Sequence, residues 1–362
     1  MKNKLKLKEE IKITIDGRQL VGEELEQYCH SQLQDATVQE WEKKIYSFIL
    51  DWISDTPFIV QTSSGTTGQK KEFHLSKETM VASARKTCDI LGITSEQTGL
   101  LCLPLDYIAG KMMIVRAFVS GMNLLIADPK GTPDLSSYEK IGFSALVPLQ
   151  VFNLLNAGDS LKKIERLIIG GGEINTEQEK QLSQLPNAIY ATYGMAETCS
   201  HVALRRVNGP DKSKLFRAIP GVHFEVDERD CLVIRADYLE NPIVTNDLVE
   251  FINTHTFRWL GRFDNLINSG GVKIVPEELE ALLSKTTGLS GAFIGIPDTK
   301  LGSKLVLVLE QKQNMAEPSA ILEELKGKLP KHHLPKEIFY VKELPRNASF
   351  KLDRNKIRSL LG

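Results

Sequence analysis

Between residues 100 and 192, short apolar segments alternate with longer stretches of helical periodicity. The apolar segments have the length and composition of buried strands. They comprise residues 100–105, 123–127, 143–149, 167–169 and 188–192. A strand, a helix and a second strand in succession place the two strands side by side and parallel. The alternation therefore predicts an α/β fold with a mainly parallel sheet that helices cover.

The two ends of the chain have other patterns. Residues 1–35 indicate a short strand or hairpin and then a helix, and residues 38–53 a strongly amphipathic helix. Ser76 is suited to cap a helix that runs to residue 91, and Asn175 with Gln178 forms the sequence of a capping box.

After about residue 215, polar turns separate strand-like segments, which predicts hairpins at 223–235 and 248–259. A small α+β unit follows: Pro276 is placed to begin a helix, residues 305–309 and 337–341 to form strands, and residues 318–329 a second helix. We expect a large N-terminal α/β domain over residues 1–262 with a β-rich subregion, and a small, mobile α+β domain over residues 263–362.

Composition excludes several classes of function. The 362 residues include 45 basic and 46 acidic side chains, so the net charge of −1 gives no support to binding of nucleic acid or of a membrane surface. Five scattered cysteines without a CxxC pair argue against a disulfide framework or a structural zinc site. Residues 112–127 form the most apolar region, but Arg116 interrupts it and it is too short for a membrane span. We expect a cytoplasmic protein without membrane insertion.

A loop rich in glycine and hydroxyl groups follows the apolar residues 58–60, which read as a buried strand. Glycine lets backbone amides approach an anion, hydroxyls add donors, and a lysine adds positive charge. The candidate phosphate-binding residues are Ser63, Ser64, Gly65, Thr66, Thr67, Gly68 and Lys71. Gly65 and Gly68 are too close together for a Walker loop. The alternative from these residues alone is a flexible surface loop.

Three further segments follow the loop in a fixed order: residues 193–198, then 245–247 with 261–264, and last 345–351. In order and spacing the four segments resemble the acyl-adenylate-forming superfamily of acyl-CoA synthetases, adenylation domains and luciferases, from residue 58 onward. The resemblance implies an enzyme that joins a carboxylic acid to AMP with loss of pyrophosphate and then passes the acyl group to CoA. ATP, CoA and Mg²⁺ are the implied co-substrates and cofactor.

The resemblance also implies roles for residues of the large domain. The loop would grip the β- and γ-phosphates, and Glu197 would serve catalysis by holding Mg²⁺, a hard cation that prefers oxygen ligands. Adenine would lie against Tyr193 and Gly194, in a pocket lined by Gly171, Gly172 and Glu173.

Nearer the C-terminus, Asp247 and Arg262 match the ribose-binding pair of the superfamily. Lys351 matches the catalytic lysine that bridges the substrate carboxylate and the α-phosphate. Asp264 falls at the hinge about which the small domain would swing between two half-reactions. Gly270 and Gly271 would face the tunnel for the pantetheine arm of CoA.

Taken singly, each charged residue has a simpler explanation: Glu197 and Arg262 as surface charges, Asp247 as a turn residue, Lys351 as a solvated lysine. Only their joint pattern indicates a nucleotide site.

Three positions depart from the superfamily pattern. Lys70 replaces a proline, Ala196 a threonine that contacts the α-phosphate, and Phe350 a glycine before the catalytic lysine. Thr198 is a candidate to supply the hydroxyl that Ala196 lacks.

Residues 193–202, 103–113 and 218–221 resemble most the o-succinylbenzoate–CoA ligases of menaquinone biosynthesis. The substrate of that branch is an aromatic dicarboxylate, so the carboxylate that does not react needs a cationic or polar partner. Lys111 is the first candidate, Arg205 and Arg206 are the next, and Ser200 and His201 would add polar contacts.

Three other functions stay open: a CoA ligase for another aromatic or short dicarboxylic acid, an adenylation enzyme that loads a carrier protein, and a non-catalytic nucleotide-binding relative. The departures at Ala196 and Phe350 motivate the last of these, whereas the presence of both Glu197 and Lys351 argues against it. The sequence does not determine the oligomeric state.

Overall fold

The computed structural model describes residues 11–63, 71–310, 317–346 and 352–361. The helices within these ranges are α1 (Gly22–Gln34), α2 (Glu40–Ile53), α3 (Lys77–Leu91), α4 (Ile108–Ser120), α5 (Pro148–Asn156), α6 (Thr176–Leu182), α7 (Pro276–Thr287), α8 (Pro318–Lys326) and α9 (Arg354–Ser359). None of them is long and apolar enough to cross a membrane.

The strands of the same ranges are β1 (Lys12–Ile15), β2 (Arg18–Val21), β3 (Phe58–Ser63), β4 (Lys71–Ser76), β5 (Thr98–Leu101), β6 (Asn123–Ile126), β7 (Ile141–Leu146), β8 (Ile164–Ile169), β9 (Ala188–Gly194), β10 (His201–Arg206), β11 (Phe216–Ala218), β12 (Val222–Val226), β13 (Cys231–Ala236), β14 (Ile243–Asn253), β15 (Thr256–Arg262), β16 (Ile267–Ser269), β17 (Val272–Ile274), β18 (Gly291–Asp298), β19 (Gly302–Glu310) and β20 (Glu337–Val341).

The chain divides into two compact units. The first takes in the described residues of 1–173, 181–223 and 235–243, and the second those of 174–180, 224–234 and 244–362. The predicted boundary at residue 262, between a large domain and a small mobile domain, stays a prediction.

The first unit is built on a mixed sheet with the strand order β11-β10-β9-β8-β7-β5-β6-β1-β2. From β9 to β1 all neighbours are parallel, as the alternation of apolar and helical segments predicts. The outer pairs, β10 with β9 and with β11 and β1 with β2, are antiparallel. All six residues of β7 are buried, which is expected of a central strand covered on both faces.

Three strand predictions were wrong in detail. Of the segment 100–105, only residues 100 and 101 belong to a strand, because β5 ends at Leu101. Residues 143–149 are not one strand, because β7 ends at Leu146 and α5 begins at Pro148, whose fixed φ suits the first helical position. Residues 58–60 are not a fully buried strand: Phe58 and Val60 are 38% and 47% exposed. They belong to β3, which pairs with β4 in a separate two-stranded sheet.

Helices α3 and α4 pack against each other and carry several of the site residues. The predicted cap of α3 is confirmed, because the Ser76 hydroxyl accepts a hydrogen bond from the Thr79 amide, and Gly92 ends the helix in the left-handed region. The buried residues of α4 extend around most of the helix and include Met112, Met113 and Arg116. A helix of this kind lies inside the fold, and any charge on it is buried as well.

The second unit contains the meander β12-β13-β14-β15 and a smaller sheet in the order β17-β16-β19-β18, with β20 parallel to β19. Both predicted hairpins are confirmed, as are the helix that begins at Pro276 and the strand over Glu337–Val341. The capping box is also present: Asn175 and Gln178 each bond to the backbone amide of the other, at 2.8 and 3.0 Å.

Candidate active site

The predicted phosphate loop connects two paired strands, since Ser63 at the end of β3 is the register partner of Lys71 at the start of β4. Ser64, Gly65, Thr66, Thr67 and Gly68 lie outside the described residues, and so does Lys351. The phosphate-binding and catalytic roles of these residues stay predictions.

The glycine segment and Tyr193 lie at one edge of the sheet. Strands β8 and β9 are parallel neighbours, so residues 170–173 after β8 and Tyr193 and Gly194 at the end of β9 emerge on the same side. A Cβ on Gly170 would come within 2.4 Å of the Thr192 hydroxyl on β9, so a larger residue there would require the Thr192 side chain to move. The structure thereby brings together Gly171, Gly172, Glu173, Tyr193 and Gly194. In open α/β sheets, ligands bind at the carboxyl ends of the strands.

Tyr193 is partly buried, and its ring centroid lies 5.8 Å from that of Phe216. Gly171 has a φ of +78°, a conformation that side chains rarely adopt. This backbone explains the glycine at position 171, while the adenine-binding role of the segment stays a prediction.

A tight turn between β9 and β10 presents Glu197. Thr198 is fully buried, and its hydroxyl accepts a hydrogen bond from the Met195 amide at 3.0 Å. The same hydroxyl lies 2.5 Å from the Ser200 carbonyl oxygen. Thr198 therefore stabilises the turn and is not accessible to replace the hydroxyl that Ala196 lacks, which corrects that expectation.

Glu197 lies in this turn with an exposed carboxylate. Magnesium is commonly held by one or two carboxylates together with substrate phosphates, and an exposed carboxylate oxygen fits that requirement. The described residues contain no group of three or more acidic, histidine or cysteine side chains suited to hold a metal ion by themselves. The chemistry of Glu197 thus fits a magnesium ion that arrives with ATP.

Lys111, the first candidate for the partner of a second carboxylate, lies in the first turn of α4. Its ammonium donates to the Val60 carbonyl oxygen at 3.1 Å and lies 6.0 Å from the centroid of the Phe48 ring. Burial lowers the pKa of Lys111 from its ordinary value, opposed by Asp51 and Asp106. Lys111 therefore lies near β3, the strand that leads into the phosphate loop.

Arg116 is the residue that sequence reasoning missed. It is 1% exposed, and no carboxylate among the described residues pairs with it. One guanidinium nitrogen, Nη2, donates to the Ser200 hydroxyl at 2.7 Å, and Nη1 lies 3.8 Å from the Met113 sulfur. Nε is buried and has no hydrogen-bond partner within the described part of the chain. Burial lowers the pKa of Arg116 to about 10. An arginine inside an apolar run was the available signal, because charges in buried helices are seldom placed there without a role.

Ser200 and His201, both predicted to contact substrate, lie beside Arg116. The Ser200 hydroxyl is 3.4 Å from His201 Nδ1, and His201 Nε2 is 3.2 Å from the Thr87 hydroxyl on α3. His201 is buried, and burial together with the Arg116 charge lowers its pKa to about 3. The imidazole is therefore neutral at physiological pH.

The two other arginine candidates are engaged elsewhere. Arg205 Nη1 donates to the Ser213 carbonyl oxygen at 3.3 Å, and Arg206 Nε donates to that of Asn208 at 3.0 Å. The guanidinium groups lie over the rings of Phe216 and Tyr190, respectively.

In the second unit, Asp247 and Arg262 face each other across β14 and β15 as register partners. Their side chains are 3.7 Å apart, and the Trp259 indole donates to Asp247 Oδ1 at 3.1 Å. Arg262 also pairs with Asp264 at 2.8 Å, and Asn246 donates to Asp264 at 3.1 Å. The proposed ribose pair and the proposed hinge residue thus belong to one polar network.

Gly270 and Gly271 occupy the turn between β16 and β17. Both have positive φ, +60° and +84°, and the flanking Ser269 and Val272 are register partners. A two-residue hairpin of this type requires positive φ at both central positions. The turn explains both glycines, and their place in a CoA tunnel stays a prediction.

Comparison with known proteins decides the family. The family model described as AMP-binding enzyme matches residues 4–232, more than half of the chain. The chain belongs to the AMP-binding enzyme family. The relatives reported below are acid–CoA ligases and an AMP-forming acyl-CoA synthetase-like protein, so the chain is grouped with the adenylate-forming acid–CoA ligases.

An acyl-CoA synthetase (AMP-forming)/AMP-acid ligase II-like protein from Dyadobacter fermentans is 32% identical. The alignment covers 93% of this chain and 98% of that protein, with a TM-score of 0.60. The 2-succinylbenzoate–CoA ligases of Lactococcus lactis and Listeria monocytogenes are each 27% identical to this chain. The alignments cover 86% and 89% of the chain and 73% and 74% of those relatives.

The o-succinylbenzoate CoA synthetase of Bacillus subtilis, solved in complex with its acyl-adenylate intermediate, is 18% identical. The alignment covers 99% of this chain and 97% of the Bacillus subtilis protein, with a TM-score of 0.76. This similarity shows the fold of the adenylate-forming enzymes.

Proposed function

We propose that this AMP-binding enzyme ligates an aromatic dicarboxylic acid, o-succinylbenzoate, to CoA through an acyl-AMP intermediate, as a step of menaquinone synthesis. The names of the relatives from Lactococcus lactis and Listeria monocytogenes support the substrate. The single observation in the structure that carries the proposal is the buried charge of Arg116, which has no carboxylate partner within the described ranges.

The reasoning from Arg116 is electrostatic. A cation in the protein interior is costly unless an anion or several acceptors surround it. In the described part of the chain, Arg116 has one oxygen acceptor, Ser200, at 2.7 Å. A planar guanidinium is suited to a carboxylate, with which it forms two parallel hydrogen bonds. The second carboxylate of a dicarboxylic acid supplies that partner, whereas a monocarboxylic acid does not.

Lys111 and Arg116 act on different groups in this proposal. They are five residues apart on α4, so their side chains point about 140° apart around the helix axis. Lys111 is tied to β3 near the phosphate loop, and Arg116 to the turn that carries Glu197. We therefore assign the second carboxylate to Arg116 instead of Lys111. Lys111 stays a substrate-binding residue on the side of the phosphate loop.

The remaining residues have the roles that the family resemblance implies. Glu197 would hold the Mg²⁺ that neutralises developing charge on the phosphates. Asp247 and Arg262 would hold the ribose, and Tyr193 the adenine. Lys351 would bring the reacting carboxylate to the α-phosphate, and Asp264 would be the hinge for the second half-reaction.

The direct test is pyrophosphate release with Mg-ATP, CoA and a panel of acids, with the product identified by mass. The expected result is a CoA thioester formed preferentially from o-succinylbenzoate. Thioester from another acid would contradict the substrate and keep the reaction. Turnover only with a phosphopantetheinylated carrier protein would replace CoA as the acceptor, and ATP binding without pyrophosphate release would indicate a non-catalytic relative.

Lys351→Ala tests the assignment of the catalytic lysine. It should reduce acyl-adenylate formation far more than thioester formation from preformed acyl-adenylate, because the lysine acts on the carboxylate and α-phosphate of the first step. An equal loss in both half-reactions would overturn this role.

A further inference from the structure

A chain of hydrogen bonds connects Arg116 to helix α3 through three side chains. Arg116 Nη2 bonds to the Ser200 hydroxyl, Ser200 to His201 Nδ1, His201 Nε2 to the Thr87 hydroxyl, and Thr87 to the Ser83 carbonyl oxygen. The distances are 2.7, 3.4, 3.2 and 3.1 Å, in that order. Thr87 and His201 are both buried.

The directions of the bonds at His201 follow from Thr87, whose single hydroxyl proton is donated to the Ser83 carbonyl oxygen. A guanidinium only donates, so the Ser200 oxygen accepts from Arg116 and its own proton is free to point to His201 Nδ1. Because the Thr87 oxygen can only accept from His201, the proton of the neutral ring is on Nε2, and Nδ1 accepts from Ser200. Nε2–H donates to the Thr87 oxygen, which sends its own proton to the Ser83 carbonyl, one turn earlier in α3.

One tautomer of His201, with the proton on Nε2, therefore satisfies both Thr87 and Ser200. Protonation of His201 is opposed by burial and by the Arg116 charge, as the pKa of about 3 indicates. A ring that carried its proton on Nδ1 would donate toward Ser200 and leave the Ser200 hydroxyl proton without its acceptor.

We propose that Thr87 and His201 are positioning residues that fix the guanidinium of Arg116 for the second carboxylate of the acid. This inference rests on the proposed function, in which Arg116 contacts that carboxylate. Both act on Arg116 through Ser200: Thr87 sets the tautomer of His201, and His201 orients the hydroxyl that Arg116 binds. Selectivity for a dicarboxylate then depends on the Thr87 hydroxyl, which is separated from the Arg116 guanidinium by the side chains of His201 and Ser200.

The hydrogen-bond relay from Arg116 through Ser200 and His201 to Thr87 is tested by ¹⁵N NMR of the full chain with labelled histidines. His201→Gln identifies the signals of the His201 ring. The wild type should show the Nε2–H tautomer. Thr87→Val removes the only side-chain acceptor of Nε2–H among the described residues and should shift His201 toward the Nδ1–H form, while Thr87→Ser keeps the wild-type tautomer. An Nδ1–H tautomer in the wild type would overturn the relay.

The positioning role is tested by kinetics with o-succinylbenzoate and its two monocarboxylate analogues, each of which lacks one carboxylate. Thr87→Val should raise KM for the dicarboxylate by about tenfold, as expected when one oriented hydrogen bond is lost. KM for a monocarboxylate that reacts should change by less than about twofold, and Thr87→Ser should restore selectivity.

Thr79→Val is the matched control, because it removes a hydroxyl on the same helix that bonds to the Tyr238 carbonyl oxygen instead. It should leave the tautomer and the ratio of KM values unchanged. A shifted tautomer in Thr87→Val with unchanged selectivity would overturn the positioning role. If Arg116→Met also left selectivity unchanged, the placement of the second carboxylate in the proposed function would fail, which separates the two failures.

Discussion

Replacement of Arg116 by methionine should stabilise the free protein or leave its stability unchanged while it weakens recognition of the dicarboxylate. Burial lowers the pKa of Arg116 from 12.5 to about 10, which corresponds to about 3 kcal/mol against the charged form. The bond to Ser200 that the variant loses offsets roughly 1–3 kcal/mol of this. Methionine fits an apolar helix in which Met112 and Met113 are already buried. The expected net change in the free energy of unfolding is between about 0 and +2 kcal/mol.

The effect on substrate should have the opposite sign. Removal of one partner from a buried, hydrogen-bonded charge pair costs about 2–5 kcal/mol of binding, which corresponds to a rise in KM of roughly 30-fold or more. Urea denaturation measures the first quantity and steady-state kinetics with o-succinylbenzoate the second.

Arg205→Met is the matched control, because Arg205 is also largely buried but bonds to the Ser213 carbonyl oxygen and lies over the ring of Phe216. It should leave the KM for the dicarboxylate nearly unchanged. A loss of more than about 3 kcal/mol of stability in Arg116→Met, with equal effects on di- and monocarboxylic acids, would show that the guanidinium supports the fold only and would refute the reasoning.

Three further predictions concern the frame around the site. The folded-state pKa of His201 is about 3, so the unfolded chain binds the proton first as pH falls from 6.5, and stability declines from there toward pH 3. His201 should account for about 2 kcal/mol of the decrease in the free energy of unfolding between pH 7 and 5, measured by urea titration. The His201→Gln variant should not show this decrease. Identical pH profiles of the two proteins would contradict the burial of a neutral His201. Gly194→Ala places a Cβ 2.3 Å from the Ser200 carbonyl oxygen, so it should cost roughly 1–3 kcal/mol and lower Tm in calorimetry, and an unchanged Tm would be inconsistent with this close approach. Arg354→Met leaves Glu280, which binds both guanidinium nitrogens at 2.8 Å, without its cation, so chemical denaturation should show a loss of about 3–5 kcal/mol; a neutral effect would mean that the carboxylate is solvated.

Local chemistry made much of the fold predictable. Ser76 supplies a hydroxyl that caps a helix, and Pro276 lacks the amide proton that the first helical position does not need. Both helices begin at these residues in the structure. The strand over Glu337–Val341 was predicted residue for residue. The end of β7 was not, because Val147 and Leu149 continue its apolar run although Pro148 already begins a helix.

The site was predictable to the extent that it consists of contiguous motifs at strand ends. Tyr193 and residues 171–173 come together because β8 and β9 are parallel neighbours, which the alternation of strands and helices implies. The role of Arg116 and its link to Thr87 could not be predicted, because they depend on how α3 and α4 pack and on the approach of a turn 84 residues away. Periodicity identifies which faces are apolar, and it does not identify the partner of a single charge on such a face.

The measurement that tests the central claim most directly is a competition among acids. The purified chain, Mg-ATP and CoA are incubated with equal amounts of o-succinylbenzoate and its two monocarboxylate analogues, and products are separated by mass. We predict a CoA thioester of the dicarboxylate as the main product, with AMP and pyrophosphate formed in equal amounts. Thioesters formed equally from the dicarboxylate and a monocarboxylate, or no thioester from any of the three acids, would contradict it.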